Sequence, residues 1–121
     1  MTELKNYIKT QIPDGFNKLK GPLMVILQFN LPITTQLQGA KRRNMHNNYH
    51  IMRPDGDNLE KFLNDCMNGI VWEDDRQVSV LLRTKIMSSD KVGFTKVHVH
   101  EFSNKLMNTE EIKQIIDQYF Y

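Results

Sequence analysis

The chain of 121 residues has a single cysteine, a single tryptophan, four prolines and a formal net charge of only +2. One cysteine excludes an internal disulfide, and with it the small secreted domains that depend on such bridges. Cys66 falls on the apolar stripe of a helix described below, where a small core residue is expected rather than a reactive thiol. No apolar run reaches the roughly 18 to 20 residues of a membrane-spanning helix. The opening Met1-Thr2-Glu3-Leu4-Lys5 lacks the basic-then-apolar order of a signal peptide. The expectation is a cytoplasmic, intracellular protein with no membrane partner. There is no internal repeat and no low-complexity tract, and the length predicts one domain over 1–121 with a modest core.

Net charge says little, but its distribution says more. From Lys41 to Arg53 the bases Lys41, Arg42, Arg43 and Arg53, with His46 and His50 among them, meet no acid, whereas Asp55 to Asp75 is strongly acidic. A basic arm beside an acidic pocket suits a phosphate-rich substrate handled through a metal. A solvated surface loop is the plain alternative. The arm lies within Pro32 to Pro54, which has no sustained period and reads as a long loop; loops of this length in compact domains are functional or disordered.

Around that loop the elements are regular. Leu4, Tyr7, Ile8 and Ile12 recur at helical spacing before Pro13-Asp14-Gly15 signals a stop. Leu23 to Phe29 is a nearly unbroken apolar run, as in a strand covered on both faces. Asp57 reads as an N-cap with Glu60 in the reciprocal capping-box position. Leu59, Phe62, Leu63, Cys66, Met67 and Ile70 then form an amphipathic stripe that stops at Asn68-Gly69. From Gln77 to Met87 alternation predicts a half-buried strand, with Val78, Val80, Leu82, Thr84 and Ile86 on one side. Gln77, Ser79, Arg83 and Lys85 lie on the other, where Leu81 is the apolar exception. Phe94 to Phe102 alternates too, with His98 and His100 on its outward side, and Ser88 to Gly93 joins the two strands as a hairpin. Thr109 caps a last helix with an apolar face of Ile112, Ile115, Ile116, Tyr119 and Phe120. The sum is a small α+β domain, a mixed sheet with packed helices.

Chemistry concentrates between residues 53 and 77. Asp57 and Lys61 are four apart and share a helix face away from the apolar stripe. Asp55 precedes them across Gly56, which permits a tight backbone path. Beyond the helix, Trp72-Glu73-Asp74-Asp75 leads into the strand, so Asp74 or Asp75 is placed to return toward Asp55 and Asp57. Carboxylates with no nearby thiol fit magnesium or manganese rather than zinc. Such a site suits metal-assisted phosphodiester hydrolysis, with Lys61 steadying charge on the phosphate or the nucleophile. On spacing alone a bland reading stands beside it: a helix cap, its solvated i+4 partner, and aspartates that form a turn.

Arg53-Pro54-Asp55-Gly56-Asp57-Asn58-Leu59-Glu60-Lys61, followed by Asn68-Gly69-Ile70-Val71-Trp72-Glu73-Asp74-Asp75-Arg76-Gln77-Val78, resembles the signature of the RusA family of Holliday junction resolvases. That pattern runs Pro-Asp-x-Asp-Asn-Leu-x-Lys, then a helix, then hydrophobic-x-Asp-Asp-x-Gln-Val opening a strand. Weaker similarity extends from Pro22 to Phe102. The resemblance implies a RusA-like fold, metal ligation by Asp55, Asp57 and Asp75 rather than Asp74, and catalysis by these with Lys61. It implies a homodimer that uses Mg2+, with Mn2+ as a substitute, and no small-molecule cofactor. Its DNA partner is a four-way junction cut by paired symmetric nicks in recombination and repair. Lys41, Arg42, Arg43 and Arg53 are the expected phosphate contacts. Many relatives open with an additional strand, whereas this chain opens on what resembles their first helix. The alternative function is a catalytically inactive branched-DNA-binding protein of the same fold.

Overall fold

The computed structural model describes residues 2–33, 45–46, 48–51, 53–89, 92–102 and 109–120. The apolar run becomes strand β1 (Leu23–Pro32), buried along nearly its whole length. A strand without polar alternation is stable only where both faces are covered, and here both are. Helices α1 (Thr2–Gln11) and α2 (Gly56–Met67) lie on one side of the sheet, and α3 (Thr109–Phe120) lies on the other. Leu23, Val25, Leu27 and Phe29 meet Leu63 and Met67 of α2, with Ile8 of α1 beside them. Met24 and Ile26 face the opposite way, onto Ile112, Ile115 and Ile116 of α3.

Strands β2 (Val78–Ser88) and β3 (Phe94–Glu101) flank β1, giving a mixed sheet of order β2-β1-β3. β2 pairs parallel to β1 and β3 antiparallel. Parallel pairing needs a crossover, which α2 supplies. The architecture is the small α+β domain that the sequence predicts.

The expected hairpin between β2 and β3 is not one. The apolar β1 takes the central place, so the two strands stand on either side of it and their connection passes over its end. Gly93 makes that passage possible, because a Cβ there would lie 2.8 Å from the Asn30 carbonyl oxygen.

The faces of β2 also differ from simple alternation. Leu23 pairs with Val78 but Met24 pairs with Val80, so Ser79 is an extra residue in a β-bulge. Val78 and Leu81 therefore share the α2 side, while Val80 and Leu82 face α3. Leu81 is no exception once both faces of the sheet are covered. His98 and His100 are half-buried rather than outward: they pair with Ile26 and Met24 on the α3 side, and the His100 ring meets Phe102 edge-on at 5.3 Å.

Thr109 is already the first residue of α3, so the cap position falls at residue 108, outside the described residues, as do the side chains of Tyr119 and Phe120. Of the long loop, 34–44, 47 and 52 are likewise not described. Its end is fixed: Asn48 to His50 runs along the outer edge of β2, where His50 donates its N–H to Lys85 and Met87 donates to Asn48. That docking delivers the chain to Asp55.

Candidate active site

Helix α2 begins before the capping pattern predicts. Asp55, in extended conformation, occupies the N-cap without a side-chain cap hydrogen bond, and Asp57 stands in the first turn. The expected box of Asp57 and Glu60 is therefore absent, because Glu60 is engaged elsewhere. Asp55, Asp57 and Lys61 are exposed. The positive end of the helix dipole favours carboxylates at this position.

What engages Glu60 is Arg83. Nη1 of Arg83 donates to Oδ1 of Asp57 at 2.7 Å and to Oε2 of Glu60 at 2.8 Å. Hydrogen bonding to Asp57 and Glu60 raises the Arg83 pKa, so the guanidinium stays charged. The bulge at Ser79 explains its direction: past the extra residue, Arg83 pairs with Leu27 on the side covered by α2. Simple alternation also places Arg83 opposite Val80 and Leu82, but on a face it takes to be solvent, so the contact leaves no signal in the sequence.

The other end of α2 is built differently. Gly69, with φ +79°, reverses the chain, and Trp72 is fully buried with its Nε1–H donating to Asn68 Oδ1 at 2.6 Å. A capping box does form here. Asp74 accepts from the Arg76 N–H at 2.9 Å, and Gln77 Oε1 accepts from the N–H of Glu73 and of Asp74. The Gln77 amide also donates to the carbonyls of Leu19 and Gly21. Gln77 thus pins the acidic turn to the segment entering β1, which gives the Gln of the sequence motif a structural task. Asp74 is occupied by the cap and by Arg76 at 3.4 Å, whereas Asp75 is exposed.

The two adjacent acids titrate apart. The Arg76 backbone N–H, and then the Asp75 side chain, hold the Asp74 carboxyl below the usual carboxylate value. The hydrogen bond to Asp74, then burial, then the charges of Asp74 and Asp65 push Asp75 above it.

One chain does not gather Asp55, Asp57 and Asp75. Helix α2 has 12 residues, a length of about 18 Å at 1.5 Å per residue. Asp55 and Asp57 stand at its start, and Asp75 follows its far end. The acids that raise the Asp75 pKa are its neighbour Asp74 and Asp65 of α2. Among the described residues no group of three His, Cys, Asp or Glu side chains is placed to hold a metal. The predicted return of Asp75 to the Asp55 and Asp57 pair within one chain is therefore not seen, because the chain reverses at the far end of the helix. The donor chemistry nevertheless fits a hard divalent ion: the carboxylates are exposed, and the guanidinium on Asp57 and Glu60 shows that this end draws positive charge.

Arg53 is exposed two residues ahead of Asp55, while Lys41, Arg42 and Arg43 lie outside the described residues.

Residues 1–100 match the model of one protein family, described as endodeoxyribonuclease RusA. No curated protein and no solved structure matches the chain.

Proposed function

The chain belongs to the RusA family of endodeoxyribonucleases, and from that premise we propose that it resolves four-way DNA junctions as a homodimer, by magnesium-dependent paired symmetric nicks. The observation that carries the site is the division of labour between neighbouring acids: Asp74 caps a turn and Asp75 does not, while Asp55 and Asp57 are exposed and free of capping bonds. Asp55, Asp57 and Asp75 are the metal ligands in this reading, and Lys61 is their catalytic companion. Because Asp75 stands at the opposite end of α2, it completes the set on a second copy related by a two-fold axis. Each site then takes Asp55 and Asp57 from one copy and Asp75 from the other, and a two-fold substrate meets a two-fold enzyme.

Asp55, Asp57 and Asp75 would hold a divalent ion, which would supply polarisation of a phosphoryl oxygen and a lowered pKa for an attacking water. Lys61, one helical turn beyond Asp57 on the same exposed face, sets its ammonium against charge developing on the phosphate. Lys41, Arg42, Arg43 and Arg53 supply phosphate contacts along the junction arms, which fix position without reading bases. The terminal helix packs on the sheet of the matched region through Ile112, Ile115 and Ile116, which supports a single domain over 1–121. No helix among the described residues is long and apolar enough to cross a membrane. Action of the family on DNA supports a cytoplasmic, intracellular place of work with access to DNA.

Incubation with synthetic four-way junctions and magnesium tests the reading. Paired nicks at symmetric positions are expected. Asp57→Asn should abolish cleavage and leave junction binding intact, as followed by gel shift. Loss of both together makes Asp57 structural, and binding by the wild-type chain without any nick makes the protein a branched-DNA binder.

A further inference from the structure

Arg83 lies across the first turn of α2. A single nitrogen, Nη1, serves both Asp57 and Glu60, at 2.7 and 2.8 Å. Gly56 leaves room for it, since a Cβ there would stand 2.6 Å from Arg83 Nε and 2.9 Å from Cζ. The bridge is lopsided: the Glu60 side chain is 24% exposed and that of Arg83 32%, but that of Asp57 is 89% exposed. Glu60 is thus the sheltered anchor of the guanidinium, and Asp57 is its open, exchangeable end. A guanidinium against one oxygen of a carboxylate weakens that carboxylate's hold on a divalent ion, because the two cations repel and share its charge.

We propose that Arg83 is the internal counter-cation of the acidic site: anchored on Glu60, its Nη1 occupies Asp57 until a divalent ion takes that carboxylate, so that metal and guanidinium compete for it. The inference rests on the reading of Asp57 as a metal ligand and adds a residue that sets how tightly the metal is held. Arg83 balances charge at the site; it is not a catalytic residue. An ion pair as open to water as this one shifts a competing affinity by about fivefold.

Isothermal titration of Mn2+ into the full chain without DNA reads this directly. Arg83→Gln is expected to tighten Mn2+ binding by about fivefold at unchanged stoichiometry. Unchanged or weaker binding overturns the proposal, because a guanidinium that merely oriented Asp57 would weaken the metal on leaving. Gly56→Ala keeps every charge and displaces the guanidinium by contact. It is expected to act in the same direction, and it carries the test should Arg83→Gln lose its fold by circular dichroism; a Gly56→Ala chain that binds Mn2+ as wild type does counts against the proposal. Asp57→Asn separates the two readings. If the wild-type chain takes up no Mn2+, or Asp57→Asn binds it equally well, it is Asp57 as a ligand that fails.

Discussion

Asp74 and Asp75 share a turn, a charge and a neighbourhood, yet their surroundings assign them opposite titrations. Asp74 is held below the usual value chiefly by the Arg76 N–H, and Asp75 is pushed above it chiefly by the hydrogen bond to Asp74. For Asp74, the lowered folded pKa means a contribution to stability that is present above the unfolded value and is lost as pH falls through the folded one. For Asp75 the sign reverses: its contribution is full below the unfolded value and is lost as pH rises through the raised folded value. The two oppose each other, Asp75 being exposed and Asp74 half-buried, so the visible consequence is in proton competition rather than stability. A proton contests Asp75 up to a higher pH than it contests an ordinary carboxylate. Replacement of Asp74 by Asn removes the neighbouring charge and the shared hydrogen bond. Asp75 should then titrate closer to the ordinary value, as followed by carbon NMR of its carboxyl group, and an unmoved titration would discard Asp74 as the cause.

At the scale of elements, the bulge in β2 aims Arg83 at the site, and Gly93 permits the passage over β1. The extra residue at Ser79 puts Leu81 and Arg83 on the side of α2, and only there does the guanidinium meet Asp57 and Glu60. The passage over β1 depends on Gly93, whose missing side chain leaves the Asn30 carbonyl and the Pro32 ring in place. A methyl group there sits 2.8 Å from a backbone oxygen that belongs to the central strand. Gly93→Ala should therefore destabilise the chain by about 1 to 3 kcal/mol, the usual cost of overpacking, as measured by urea unfolding. Stability equal to that of the wild type would mean that the connection gives way freely.

At the scale of the molecule, the length of α2 separates Asp55 and Asp57 from Asp75, so the proposed metal site needs a second copy. Coexpressed Asp57→Asn and Asp75→Asn chains provide the test. Neither variant alone is expected to cleave. The mixed dimer keeps one site with Asp57 from one chain and Asp75 from the other, so it should nick one strand of a junction without its symmetric counterpart. Mixed dimers as silent as either variant alone would return the complete site to one chain.

The sequence by itself determined most of the elements and the family. Apolar periods placed α1, β1, α2, β2 and β3, because burial on one or both faces leaves a local imprint on residue order. The Asp55 to Lys61 and Asp74 to Val78 motifs named the family for the same reason: helix and turn geometry dictate residue type at fixed spacing. Tertiary structure alone decided what those residues touch. The capping box expected at Asp57 and Glu60 is absent, because the helix starts from Asp55 and Arg83 of β2 holds Glu60, and a separate box forms at Asp74 and Gln77. The hairpin became a passage over β1 because the most apolar strand takes the centre. Arg83 left no local sign at all, since its partners lie 26 and 23 residues away in sequence, and contacts between distant segments are written in packing rather than in period.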